Sequence, residues 1–408
     1  MTRPRAVLLR LHRYAGLALA AFLLLAGPTG SVAAFHEALD GWLNPDLFRA
    51  RTSGPPLPVD ELAKRLREQV PNGRLGYLVY RPAPGFTVHA YLQPAPGHAL
   101  SQSEVFLDPA TGAIQGTRNP DDGCCARRTI IPFLYRFHYS LGMGRTGILV
   151  MGIVALIWSL DCMTGLLLTL PVRWRPWRRG DWRRWGVSWR IEPDKRGIRR
   201  VFDLHRAFSL WLWIVLLGIA ISGVSLNLPD QVFRPVVAAL LPVSAPPATG
   251  PTPPTASRRI DLDEADRIAG AAARAHGWKG RPGALFMSGQ RIVVYFNEAD
   301  GKRVAGLGGP VVTLDAATGA VTQVVLPGRG KLGDTVLELQ FPFHSGELLG
   351  LPGRILVAAI GLVVPVLVVT GLLIWQRKRR PRRRSVRQVA GNAGRAAPEP
   401  ALQPVRPS

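Results

Sequence analysis

The sequence is short of acid and short of cysteine. Its 408 residues hold 27 Asp and Glu against 51 Lys and Arg, a formal net charge of +24. Three cysteines cannot build a disulfide framework, and no Cys-x-x-Cys occurs. Charged residues of either sign make up only 19% of the chain, while hydrophobic ones reach 47%. That scarcity of charge argues against a soluble basic nucleic-acid binder, despite the large positive total. The apolar content excludes disorder over most of the chain. What the sequence does have is long apolar runs and an uneven distribution of its bases.

Four runs, Tyr14–Phe35, Thr146–Leu170, Ala207–Leu228 and Ile355–Trp375, are long enough to cross a hydrocarbon core of about 30 Å as helices. Asp161 is the one Asp, Glu, Lys or Arg within them. Segments 1–13, 171–206 and 376–408 carry 26 of the basic residues and five of the acidic ones, a net +21. By the positive-inside rule these three face the cytoplasm, and 36–144 and 229–354 lie outside it. The expected order is therefore a cytoplasmic N-terminus (1–13), a first span (14–35) and a first outer module (36–144). A second span (146–170), a cytoplasmic Trp/Arg loop (171–206) and a third span (207–228) follow. A second outer module (229–354), a fourth span (355–375) and a basic, disordered cytoplasmic tail (376–408) complete it. A rival reading makes the first run a cleaved signal peptide ending at Val32-Ala33-Ala34. The tryptophans at 174, 177, 182, 185 and 189 read as anchors on the inner membrane surface. Residues 242–257, rich in Pro, Ala, Ser and Thr, read as a flexible connector.

The chain also repeats itself. Leu11-His12-Arg13 opens the first run and Leu204-His205-Arg206 opens the third; Thr29-Gly30 and Ser222-Gly223 follow seventeen residues after each His. Phe137-His138 then Gly144-Arg145 precede the second run, and Phe343-His344 then Gly353-Arg354 precede the fourth. Thr164-Gly165 and Thr370-Gly371 come late in those runs. Between the runs, helical stretches near Val59–Val70 and Leu262–His276 lead into strand-like stretches near Gly76–Tyr80 and Phe86–Leu92, and near Ala284–Phe286 and Arg291–Asn297. Each module then reads into Asp-x-x-Thr-Gly, at Asp108 and at Asp315, a hairpin turn. The unit is a His-Arg, a helix, a small α+β module, a Phe-His and a helix, twice over. Both copies cross in the same direction, so the fold class expected is an α-helical membrane protein of four spans in two parallel repeats, with two outer α+β modules.

The repeat gives the histidines their meaning. It sets His12 with His205 at the inner ends of the first and third spans, and His138 with His344 at the outer ends of the second and fourth. Two imidazoles facing across a twofold axis can ligate a flat haem from both sides, so four give two haems and a trans-membrane electron path. With no Cys-x-x-Cys-His present, such haems would be non-covalent and b-type. Arg13 and Arg206 at the inner pair, and Arg145 and Arg354 at the outer, suit either haem propionates or lipid headgroups. His36 is a fifth candidate, whose counterpart is Pro229; it replaces one outer ligand or sits beside the substrate. His89, His98 and His276 read as solvated side chains. Asp161 serves proton balance or a haem edge, or bonds to a Ser, Thr or Trp on a neighbouring helix. Cys124-Cys125 reads as an incidental vicinal pair in an outer loop, and Cys162 as a small apolar filler.

The motifs Leu11-His12-Arg13-Tyr14-Ala15-Gly16-Leu17, Phe35-His36-Glu37 with Leu43-Asn44-Pro45, Asp203-Leu204-His205-Arg206, and Phe343-His344-Ser345-Gly346 with Gly350 resemble the PepSY-associated transmembrane family, whose members are often labelled iron-regulated membrane proteins. The resemblance runs from about residue 5 to 378. It implies a multi-pass protein of the bacterial inner membrane with both termini cytoplasmic and two periplasmic PepSY-type modules. Some members reduce ferric siderophores using two b haems, which carries over to His12, His205, His138 and His344. Some relatives add a cytoplasmic flavin- and nucleotide-binding domain. None is recognisable after Trp375, so the electron donor is left open between a cytoplasmic reductase and a quinol. The outer modules show no metal-ligand cluster, so iron is expected as a chelate. The implied role is periplasmic reduction of ferric siderophores. The alternative is a non-enzymatic PepSY-type protein that binds or regulates periplasmic peptidases or envelope proteins. A transporter is a third option, weakened by the small number of spans. The partners expected are the lipid bilayer, a ferric siderophore and the donor, with no nucleic acid.

Overall fold

A computed structural model describes residues 3–172, 174–244, 259–298 and 304–393, with 378–393 as backbone. Most of the expected connector at 242–257 lies outside these residues. The chain forms two compact units. One comprises Met1–Leu24, Leu160–Val215 and Val364–Ser408, the other Leu25–Ser159 and Leu216–Val363.

In chain order, α1 (Arg3–Ala33) is followed by α2 (His36–Leu43) and a single turn, α3 (Pro45–Phe48). The first module is α4 (Val59–Gln69), β1 (Gly73–Val79), β2 (Val88–Pro94), β3 (Glu104–Leu107) and β4 (Ile114–Arg118). Then come α5 (Ile130–Ser140), α6 (Gly144–Thr169), α7 (Arg179–Gly186), α8 (Ile198–Trp211), α9 (Trp213–Asn227) and α10 (Arg234–Leu240). The second module is α11 (Leu262–Ala275), β5 (Arg281–Ser288), β6 (Arg291–Asn297), β7 (Val311–Asp315) and β8 (Val321–Val325). The chain closes on α12 (Leu332–Ser345) and α13 (Gly350–Ala393).

Three helical stretches, α1, α6 and Glu347–Arg377, are long and apolar enough to cross a membrane. A fourth crossing exists if α8 and α9, bent by 68° at Leu212, form one span. The chain is thus a membrane protein of three or four spans. The bend falls inside the run Ala207–Leu228, where the third span is expected. Two indoles flank it and are tied to different elements: Trp211 Nε1 donates to the Trp189 carbonyl and Trp213 Nε1 to the Cys162 carbonyl. The fourth helix does not stop at Trp375 either. Its backbone runs on as helix to Ala393, across part of the expected disordered tail; residues 394–408 lie outside the described ones.

The Trp/Arg loop is an ordered segment. Trp174, Trp182, Trp185 and Trp189 pack edge to face, with ring centres 4.8–5.7 Å apart from one to the next. Trp185 Nε1 donates to Thr169 Oγ1. Trp177 is 77% exposed and packs into none of these ring contacts.

The two modules join into a single antiparallel sheet of order β4-β3-β2-β1-β5-β6-β7-β8. Tyr77–Val79 of β1 pairs with Ala284–Phe286 of β5, so each module's first strand covers the other's open edge. Alternate residues, among them Val88, Ala90 and Leu92 on β2 and Ile292, Val294 and Phe296 on β6, point into one core with Leu62, Leu66, Ala265 and Ala269 of α4 and α11. The helices also cap one another. The Val59 amide donates to Asp263 and the Leu262 amide to Asp60, so each helix N-terminus receives a carboxylate from the other module, beside Asp261, which caps its own helix by accepting from the Glu264 amide. Both Asp-x-x-Thr-Gly turns form alike. Asp108 and Asp315 each accept from the two following turn amides and the Thr hydroxyl, and Gly112 and Gly319 take φ of 67° and 73°.

The modules differ in one buried feature. Arg118 at the end of β4 pairs with Asp40 of α2 and with Glu104 of β3, all three buried. His89 stacks on Phe106 at 4.3 Å and lies 3.7 Å from Glu104, so it is a largely buried side chain and not the solvated one expected. Cys124 and Cys125 form a vicinal disulfide between β4 and α5. Arg118→Ala leaves two buried carboxylates without their cation and should cost about 3–5 kcal/mol. Thermal unfolding of the detergent-solubilised chain measures it; a midpoint equal to that of the unaltered chain would contradict a structural role for the cluster.

Candidate functional site

The four motif histidines meet in two pairs, each within its own compact unit. His12 of α1 lies opposite His205 of α8, with ring centres 6.4 Å apart and planes inclined by 57°. His138 of α5 lies opposite His344 of α12, with ring centres 6.1 Å apart and planes inclined by 49°.

Each ring is held at Nδ1. His205 donates to the Leu367 carbonyl and to Thr370 Oγ1, each at 3.0 Å. His138 donates to Thr29 Oγ1 at 3.2 Å, and His344 to Ser222 Oγ at 2.8 Å. The three hydroxyls spend their own protons on helix carbonyls, Leu367, Leu25 and Ile219, so toward the imidazole they act as acceptors. His12 differs: its Nδ1 lies 2.8 Å from Oδ1 of Asp161, a carboxylate that Thr164 Oγ1 also contacts at 3.2 Å. With Nδ1 as donor in every case, Nε2 is the nitrogen left for coordination.

A glycine clears the space for one ring of each pair. A Cβ on Gly30 would stand 2.9 Å from the His138 ring and on Gly371 3.3 Å from His205, whereas on Gly165 and Gly223 it would meet His12 and His344 at the ordinary contact distances of 3.5 and 4.0 Å. Thr29-Gly30 and Thr370-Gly371 thus act together: the hydroxyl holds an imidazole and the adjacent glycine makes room for it. Thr164-Gly165 differs, since Asp161 stands between the hydroxyl and His12.

Local geometry aims His138 and His344. Both sit in the last turn of a short helix that reverses into the next apolar helix. At the first reversal Leu141 takes φ of 52°, and a Cβ on Gly147 would overlap the Ser140 carbonyl. At the second, Gly346 takes φ of 81° and lies against Gly353. Only glycine permits such backbone approach. Burial lowers the pKa of both imidazoles below the ordinary histidine value, His344 to about 4 with His138 beside it contributing, so both are neutral at physiological pH. Neutral imidazole is the form that ligates a metal.

Other candidates are placed elsewhere. His36 bonds to the Ala33 carbonyl through Nδ1 and stacks on Tyr135 at 4.5 Å. Arg206 is engaged by Asp203 and the carbonyls of Val187 and Arg190; Arg354 donates to the Ala34 carbonyl and lies over the Phe35 ring. Arg13 is half-buried and Arg145 exposed. His98 and His276 are exposed. Among the described residues no group of three or more His, Cys, Asp or Glu stands ready for a bare metal ion. A pair of imidazoles binds a metal firmly when a macrocycle supplies the remaining donors.

Ser222→Ala removes the acceptor from a buried Nδ1–H and should cost about 1–3 kcal/mol. The thermal midpoint of the purified chain reports it, and an unchanged midpoint would show that the hydroxyl does not hold His344.

"Uncharacterized protein PA4219" of Pseudomonas aeruginosa is 33% identical over 159 residues, which span 36% of this chain and 36% of that protein. Residues 9–378 match the family described as PepSY-associated TM region. That span takes in both histidine pairs, their acceptors and the sheet, and the chain belongs to the PepSY-associated TM family.

Proposed function

We propose that the chain carries electrons across the bacterial inner membrane through two non-covalent b-type haems and reduces ferric siderophores on the periplasmic side. One haem is held by His12 and His205, the other by His138 and His344. The observation that carries this is the spacing of the paired rings. With a metal–nitrogen bond of about 2.0 Å and about 1.1 Å from that nitrogen to the ring centre, two imidazoles that would hold one metal between them stand about 6.2 Å apart, centre to centre. The two pairs stand at 6.4 and 6.1 Å. The fixed Nδ1 bonds and the glycine clearances support the same reading, because an axial ligand must hold its ring orientation.

Haem in these positions supplies a one-electron carrier. The chain's own residues hold the imidazoles, and burial keeps the His138–His344 pair neutral. Reducing Fe(III) to Fe(II) weakens its grip on hard oxygen donors, which frees the metal from a siderophore. The concentration of basic residues in 1–13, 171–206 and 376–408 supports a cytoplasmic location for both termini, with His12 and His205 toward the donor. The donor would be a cytoplasmic reductase or a quinol.

Purified from haem-replete cells, the chain should show a b-type reduced-minus-oxidised spectrum with about two haems per chain, the number its two pairs would hold. His12→Ala should remove one and leave the other, and ferric-siderophore reduction by reduced protein should fall with it. A colourless protein, or four single His→Ala variants that all keep both haems, would refute the proposal.

A further inference from the structure

The two halves of the chain hold their histidines by the same device except at one position. Aligning Thr164-Gly165 with Thr370-Gly371 sets Asp161 opposite Leu367. Both serve the inner histidine of their half. Leu367 offers its backbone carbonyl to His205, whereas Asp161 offers a carboxylate to His12. The outer histidines receive hydroxyls. Three imidazoles therefore bond to neutral acceptors and one to a charge.

The Asp161 side chain is 11% exposed, within a candidate span, and among the described residues no Lys or Arg lies within ion-pairing distance of it. Its partners are the Nδ1–H of His12 and the hydroxyl of Thr164. A carboxylate in a span is costly unless a function retains it. An acceptor of full charge pulls the Nδ1 proton away from the ring and makes Nε2 a stronger donor. Stronger donation favours the more positive state of a bound metal, and second-sphere hydrogen bonds are a main lever on haem potential.

We propose that Asp161 makes the two haem sites unequal: through His12 it lowers the midpoint potential of the haem held by His12 and His205 below that of the haem held by His138 and His344. The inference rests on the di-haem reading and adds a direction to it. The inner site then holds an electron less tightly than the outer one, so transfer from cytoplasm to periplasm runs downhill. Asp161 is a positioning and tuning residue that acts through His12 and touches no substrate.

The test is a potentiometric titration of the full chain in detergent at one fixed pH, followed by visible absorption. Two midpoints are expected, the lower one missing from His12→Ala and the higher one missing from His344→Ala. In Asp161→Asn, which keeps the shape and removes the charge, the lower midpoint should shift positive while the higher stays in place. Asp161→Glu, which restores the charge, should stay near the starting value. The proposal fails if Asp161→Asn keeps both haems with both midpoints unmoved, or if Glu shifts the potential as far as Asn. Should Asn lose the inner haem, the unaltered chain decides: an inner midpoint at or above the outer one overturns the proposal. A chain that binds no haem at all refutes the di-haem reading itself, a result separate from any of these.

Discussion

A half-buried imidazole must have a fixed acceptor at Nδ1 and room for its ring, and this chain supplies the acceptor four times. Thr29, Ser222, Thr370 with the Leu367 carbonyl, and Asp161 are those acceptors. Gly30 and Gly371 leave the room for His138 and His205. There the hydroxyl and the glycine are neighbours in sequence, so a single stretch of helix both clears and holds the ring opposite. Sequence close to the pairs is constrained by this need. The apolar residues between are constrained only by length and hydropathy, as a membrane solvent requires.

Outside the spans, different physics governs. Two small modules share one eight-stranded sheet and one core, and each lends the other an N-terminal carboxylate cap. Neither set of four strands has to leave its first edge open, and neither helix has to stand with its first amides unpaired. The Arg118 cluster adds a tie between α2, directly after the first span, and the outer edge of the sheet. The positions of Glu104 and Arg118 correspond to Val311 and Val325 in the second module, so only the first module carries the tie.

Much of this was legible in the sequence because its signals were local. Hydropathy located three long apolar helices, and apolar alternation located β2 and β6 to within two residues. The Asp-x-x-Thr-Gly motif located both hairpin turns, because Asp and Gly have geometric reasons to stand there. The pairing of His12 with His205 and of His138 with His344 followed from the repeat. What escaped was long-range. Nothing in Gly73–Val79 announces that it pairs with Arg281–Ser288. The bend at Leu212 is flanked by two indoles that bond to residues 22 and 51 positions away. The Thr-Gly pairs were visible as small residues at helix contacts, yet their role as acceptor and clearance needs the opposing histidine in view. Asp161 was noted as an unusual charge, but its partner His12 lies 149 residues away.

The central claim is that each pair of imidazoles ligates one iron from both faces. Electron paramagnetic resonance of the oxidised, purified chain tests it most directly, because two axial nitrogens impose a low-spin ferric state and one leaves the iron high-spin. The account predicts two low-spin ferric signals of similar intensity, one abolished by altering His205 and the other by altering His138. A dominant high-spin signal, or a spectrum without ferric haem, would contradict it.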